Sequence, residues 1–328
     1  MLKTLYKISA PATLMLTGEH SVLYGKKSVI SSINKRITVS LSKRNDDLII
    51  IESKKNFFFE TKILDIKILK NFELLTSILH FYKNFIQSGF KIEITSDIPQ
   101  SKGLGSSTAL LVSCVGLMKL FISHNNPNII TNKQEKSKDF LDKIFSDSKK
   151  ILELSNTIFS GADIIASLKG GIILYEQHKL LKRTFKNLNL LLIYSGYKTK
   201  TSDVISYIQP IREKFLDIFR GLENTIDKIS ELAFKAIEEN NLDYLGKLFT
   251  LNQGILESMM LSSPLINYLI NRLKDFTYIK GVKISGAGLG DSIIALTSTN
   301  KDINKLPTDL QKIAFQNIKI SNIGLKIE

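Results

Sequence analysis

The chain has 328 residues, 43% of them hydrophobic, which is enough for a sizeable core and suggests two lobes sharing an interface. A single cysteine, Cys114, excludes an internal disulfide and fits a reducing cytoplasm. The formal charge is +14, yet its lysines are spread along the chain with no basic run interleaved with aromatics, which argues against nucleic acid or a membrane surface and for anionic small molecules.

The N-terminal Met1-Leu2-Lys3-Thr4-Leu5-Tyr6 lacks the apolar stretch and cleavage site of a signal peptide. Residues 3 to 60 read as strands and turns, with alternation at Tyr6–Ser9 and Ile37–Ser42 and a short apolar run at Leu48–Ile51. Phe72–Ile86 has helical spacing and is stopped by Gly89, and Phe90–Thr95 alternates as a strand. Pro99–Ser107 is a loop, followed by an apolar helix to Phe121 that could be mistaken for a membrane span but whose fully apolar centre, Ala109-Leu110-Leu111-Val112, better fits a helix buried in a soluble core. Ser123–Ser137 reads as an exposed excursion, and helical patterning returns to about Leu154.

Gly170-Gly171 precedes a strand at Ile172–Tyr175, and Leu188–Tyr194 is another. Ser202–Leu273 is mostly amphipathic helix, with breaks expected near Gly221, Asn240-Asn241 and Ser262-Ser263-Pro264. Gly281–Ser285 and Ile293–Leu296 are strands flanking a glycine-rich turn, and Ile318–Ile327 alternates. The lobe boundary is placed near residue 185, giving lobes of 1–185 and 186–328.

Four segments carry chemistry. The strongest is Pro99-Gln100-Ser101-Lys102-Gly103-Leu104-Gly105-Ser106-Ser107-Thr108-Ala109, between a strand and a long helix. Its glycines allow backbone to approach phosphate, the helix start offers unpaired N–H groups, and Lys102 and the serine hydroxyls add polar contacts. It is not a Walker A loop, and alone it also fits an ordinary turn capping a core helix.

The second segment, Ser9–Lys26, carries Gly18-Glu19-His20, a pair that lines a polar pocket or, taken alone, is more often a solvated turn. The third is Ser160-Gly161-Ala162-Asp163, where Asp163 is either a helix cap or a general base; Glu153 is a metal-ligand candidate or a surface carboxylate. The fourth is Ser285-Gly286-Ala287-Gly288-Leu289-Gly290-Asp291. One such glycine run is weak evidence, but two distant phosphate-type loops in one chain rarely arise by chance.

In this order and spacing the four segments resemble the GHMP kinase superfamily, which includes galactokinase, homoserine kinase, mevalonate kinase and phosphomevalonate kinase. Pro99–Ala109 is similar to its Pro-x-x-x-Gly-Leu-Gly-Ser-Ser-x-Ala signature, and Gly18–Gly25 is close to the mevalonate kinase form of the first motif. The resemblance spans residues 7 to 297. It implies an α+β fold, with an N-terminal lobe like ribosomal protein S5 and a ferredoxin-like C-terminal lobe.

It also implies ATP and Mg2+ on Lys102, Gly103, Leu104, Gly105, Ser106, Ser107 and Thr108, with Ser107 and Glu153 holding the metal. Asp163 would be the catalytic base. Glu19, His20 and Thr201 would line the acceptor pocket, supported by Gly286, Ala287 and Gly288. The implied reaction is phosphorylation of the 5-hydroxyl of mevalonate in isoprenoid biosynthesis. Phosphomevalonate or another acceptor of the superfamily is the second reading, and a catalytically weak ligand-binding relative the third. The expected partners are small molecules, without nucleic acid or membrane; a homodimer is an admissible assembly.

Two departures stand out. The first motif reads Ala-Pro-Ala-Thr, so Thr13 stands where mevalonate kinases carry a lysine, and Lys102, Lys198 and Lys200 are candidate substitutes for its charge. The third motif reads Gly-Leu-Gly-Asp-Ser, and its Gly-Asp pair is similar to that of bacterial phosphomevalonate kinases.

Overall fold

The computed structural model describes residues 4–53, 57–99, 103–125, 138–298 and 306–328. Two sheets organise it. The first begins with two long strands, β1 (Thr4–Thr17) and β2 (Ser28–Lys43), paired antiparallel. Only Tyr6–Ser9 of β1 alternates visibly in sequence; the strand runs on through Pro11 because a register shift between Pro11 and Ala12 absorbs the missing N–H. β3 (Leu48–Ser53), β4 (Phe57–Lys62) and β5 (Phe90–Ser96) extend this sheet, and β6 (Ile172–Glu176) and β7 (Lys179–Thr184) pair onto the far end of β2.

One face of the sheet is covered by α1 (Glu73–Tyr82), α2 (Ser106–Asn125), α3 (Lys138–Leu154) and α4 (Ala162–Lys169). Ser106–Ser123 is long and apolar enough to cross a bilayer by composition, but 67% of it is buried in this core. Cys114 lies buried in the same helix, and burial pushes its thiol up to about 12, so it is held as an unreactive thiol. The excursion expected at Ser123–Ser137 begins as the last turn of α2, and its residues 126–137 lie outside the described set.

The second sheet starts with β8 (Leu190–Tyr194), followed by α5 (Thr201–Lys214), α6 (Leu216–Glu238), α7 (Leu242–Ser258) and α8 (Pro264–Lys274). Then come β9 (Ile279–Ser285), β10 (Ser292–Thr297), α9 (Thr308–Ile313) and β11 (Ala314–Ile318). The spatial order β11-β8-β10-β9, antiparallel throughout, is the 4-1-3-2 order of a ferredoxin-like sheet.

Gly221 does not break α6, since a helix-interior glycine costs only about 1 kcal/mol; the break falls at Phe215 instead. The breaks at Asn240-Asn241 and Ser262–Pro264 are present, capped by the Asn241 and Ser263 side chains. The last strand, β12 (Lys326–Ile327), leaves the second half and pairs with β1 in the first sheet.

Candidate active site

A cavity of about 360 Å³ lies where the four segments meet. Its walls include Thr13 of β1, Glu19 and His20, Gly103 and Gly105–Thr108, Asp163, Lys198, Thr201, Gly286, Ala287 and Asp291. Residues separated by almost the whole sequence therefore share one chamber.

The loop before α2 is fixed by backbone geometry. Gly103 and Gly105 both have left-handed φ, at 66° and 58°. Gly105 also packs directly on β1: a Cβ there would lie 2.0 Å from Thr13 Oγ1, and the Thr13 amide donates to the Leu104 carbonyl at 3.3 Å. Leu104 itself turns into the core, so its share in the loop is its backbone and its anchoring side chain. Ser106, Ser107 and Thr108 form the first turn of a 20-residue helix with no acidic residue there, so free N–H groups and the positive helix end face the cavity. A Gly105→Ala variant is expected to lose at least ~1–2 kcal/mol from the left-handed φ alone, read as a lower melting temperature, and to weaken ADP binding in calorimetry.

Asp163 sits in the first turn of α4, half-buried, and opens on the cavity. Thr13 Oγ1 donates to its Oδ1 at 2.5 Å. Burial pushes the Asp163 carboxyl above its ordinary range, and the Thr13 hydrogen bond opposes that. Thr13, read in the sequence as a missing cation, is thus the residue that orients this carboxylate.

The turn carrying Glu19 and His20 is held by α7, β9 and the turn after β9. Glu19 is buried and ion-paired with Lys283 of β9, which is fully buried beneath it. Asn252 of α7 donates to the other Glu19 oxygen at 3.5 Å, and Gln253 accepts from the Ile284 amide at 2.8 Å. These side chains reach β9 because α7 and β9 touch at Gly246 and Gly281, where a Cβ on either would lie within 2.2 Å of the other element's backbone oxygen. His20 Nε2–H donates to the Ala287 carbonyl at 2.6 Å, since a carbonyl can only accept. Burial lowers the His20 pKa, so the ring is neutral at physiological pH. Next in the chain, Arg212 stacks 3.6 Å from the Tyr24 ring centroid and forks onto Glu223, and Lys27 pairs with Asp227 at 3.3 Å.

The structure gathers most of the expected site residues. Thr201, at the start of α5, and the Gly286-Ala287 backbone line the same cavity; Gly288 packs instead against Leu261. Glu153 is exposed near the end of α3 and is not among the residues lining the cavity. Lys102 lies outside the described residues. Of the other candidate cations, Lys200 caps α5 and Lys198 lines the cavity. Sequence reasoning missed Lys283, Asn252 and Gln253; the available signal was a lysine flanked directly by Val282 and Ile284 in a strand.

Two family profiles match, "GHMP kinases N terminal domain" over residues 68–171 and "GHMP kinases C terminal" over residues 233–314. A mevalonate kinase from Saccharolobus solfataricus is 28% identical over 300 residues, covering 89% of this chain and 90% of that protein. The crystal structure of Methanococcus jannaschii mevalonate kinase superposes with a TM-score of 0.73 at 23% identity, covering 98% of this chain and 96% of the other. Lactococcus lactis galactokinase complexed with galactose superposes with a TM-score of 0.77 at 15% identity, covering 98% and 94%. The chain belongs to the GHMP kinase superfamily. It is an ATP-dependent small-molecule phosphotransferase with the α+β fold of that superfamily.

Proposed function

We propose that the chain phosphorylates the 5-hydroxyl of mevalonate. The observation that carries the reading is the buried Gly18-Glu19-His20 turn, which brings a carboxylate and a neutral imidazole to the cavity that Asp163 also lines. The full-length likeness to a mevalonate kinase points the same way, whereas fold alone does not choose among acceptors: the galactokinase superposes as well. A coupled ATPase assay with mevalonate, 5-phosphomevalonate, homoserine and galactose tests it. Turnover on mevalonate is expected, and turnover only on another acceptor would overturn the reading. The Gly-Asp pair of the third motif makes 5-phosphomevalonate the acceptor to watch.

The residues fit a nucleotide polyphosphate. Two left-handed glycines, three hydroxyls and a helix start face one cavity. For Mg2+ the fit is through few protein ligands: no group of three or more His, Cys, Asp or Glu among the described residues could hold a metal, and Mg2+ in such sites keeps phosphate and water as its main ligands. Ser107, which faces the cavity, is the proposed protein ligand, with Glu153 retained as a candidate outside the cavity wall. When bound, Mg2+ would supply neutralisation of phosphate charge.

The chain's own groups do the rest. The Gly103–Thr108 backbone orients the phosphates and Glu19, His20 and Thr201 orient the acceptor. Asp163 takes the proton of the acceptor hydroxyl, its orientation set by Thr13. Catalysis is then mostly positioning and electrostatics. Because the Thr13 hydroxyl lowers the Asp163 pKa, Thr13→Val is expected to move the acid limb of the pH–kcat profile to higher pH. An unmoved limb would separate the hydroxyl from the titrating group.

A further inference from the structure

The cavity walls hold three carboxylates, Glu19, Asp163 and Asp291, and among the described residues a single lysine or arginine, Lys198. Among the described residues, a chamber that receives a polyphosphate is therefore short of positive side chains. Glu19 is already neutralised by Lys283 beneath it, so Lys283 is committed elsewhere.

Lys198 lies on a strap tied down on both sides. The Ser195 amide donates to the Asp291 carbonyl at 2.9 Å, and the Asp291 amide donates to the Tyr197 carbonyl at 2.9 Å. The Thr199 hydroxyl donates to the Leu289 carbonyl at 2.7 Å. Residues 195–199 are thus laced to the 289–291 turn, and Lys198 stands between the tethers.

Asp291 is the residue to which the strap is tied. It is buried, it holds a left-handed φ of 60°, and its Oδ1 finds no hydrogen-bond partner among the described residues. Its carboxylate packs against the phosphate-type loop: a Cβ on Gly103 would lie 3.0 Å from Asp291 Cγ. Burial raises the Asp291 pKa, and the charge of Lys198 opposes that rise, so the two groups feel each other. A buried carboxylate beside a phosphate cradle repels the ligand unless a cation is placed with it.

We propose that Lys198 is the cation that contacts the terminal phosphates of the nucleotide, and that Asp291 is its positioning residue. The inference rests on the reading of Gly103–Thr108 as the phosphate cradle. A lysine on a tied strap can swing a flexible stem over the cavity while its base stays fixed, and the Asp291 carboxylate packed against Gly103 biases that swing toward the loop. In this arrangement Thr13 is free to serve Asp163, and the positive charge enters from the strap.

The test uses the full-length enzyme and two readouts, calorimetric binding of a non-hydrolysable ATP analogue and steady-state kinetics. Lys198→Met is expected to weaken the analogue about tenfold and lower kcat about 100-fold, with acceptor KM nearly unchanged. Lys198→Arg should recover most of both. Asp291→Asn should lower kcat less, and the double variant should be no worse than Lys198→Met alone, because Asp291 acts through Lys198. Wild-type analogue affinity in Lys198→Met, a loss confined to acceptor KM, or additive losses in the double variant would each overturn the proposal. Failure of the underlying cradle reading looks different: Gly105→Ala, still folded, would then bind the analogue as wild type does.

Discussion

Asp163→Asn is expected to lower kcat by about 10²–10⁴-fold while the protein still binds ADP as wild type. The amide keeps the shape of the carboxyl and one acceptor oxygen for the Thr13 hydroxyl, so the loop and β1 need not move. What disappears is the capacity to take a proton. A second readout follows from burial. The folded-state pKa of Asp163 lies above its ordinary 3.8, so the folded state holds this proton more tightly than the unfolded chain does. The wild type therefore loses stability as pH rises through the ordinary carboxylate range, and the amide variant does not. Asp163→Asn should melt higher than wild type at neutral pH, with the gap closing as pH falls below about 3.8. An inactive variant that also melts higher is the signature of a group kept for chemistry at a cost in stability. Full activity in the variant would remove Asp163 as the base.

Lys283→Met is expected to cost about 3–5 kcal/mol of folding stability. Lys283 is fully buried and paired with Glu19, and its ammonium also donates to the Ile284 carbonyl. Removing it leaves the buried Glu19 carboxylate at the cavity wall without its cation, with only a long bond from Asn252 among the described residues. Glu19→Gln combined with Lys283→Met should recover much of the loss, since no charge is then left unpaired. Denaturant melts of the two single variants and the double variant measure this. The double variant should fold yet bind acceptor poorly, because the carboxylate facing the cavity is gone. If Lys283→Met alone melted like wild type, the pair would not be the tie described above.

The glycine loops and the Ser-Gly-Ala-Asp segment were legible in the sequence because their chemistry is local. A left-handed turn needs glycine, a helix start offers its amides, and both are written in adjacent residues, as at Gly103–Thr108. The ion pair under Glu19 was not legible, since its partner stands 264 positions away and nothing local distinguishes Lys283 from a surface lysine except its apolar neighbours. Thr13 read as a loss because spacing alone does not reveal that β1 carries it to Asp163, 150 positions later. Gly221 misled in the same way, as a local breaker that an accommodating helix overrides. Asp291 was visible only as a departure from a glycine run; its place against Gly103 needed the fold.

The return of β12 to the first sheet has a consequence for how this chain is made. β1 lies between β2 and β12, and Ser9 donates to Glu328, 319 positions downstream. Arg36 likewise reaches the carbonyls of Ile323 and Gly324. During synthesis β1 and β2 can pair early, but one flank of β1 stays open until residue 327 has left the ribosome. Until then the nascent chain carries an unsatisfied strand edge at Ile8 and Ser9 of β1. Completion of the first sheet thereby waits on β12, so a chain interrupted before residue 326 should be a client for chaperones rather than a partly working kinase.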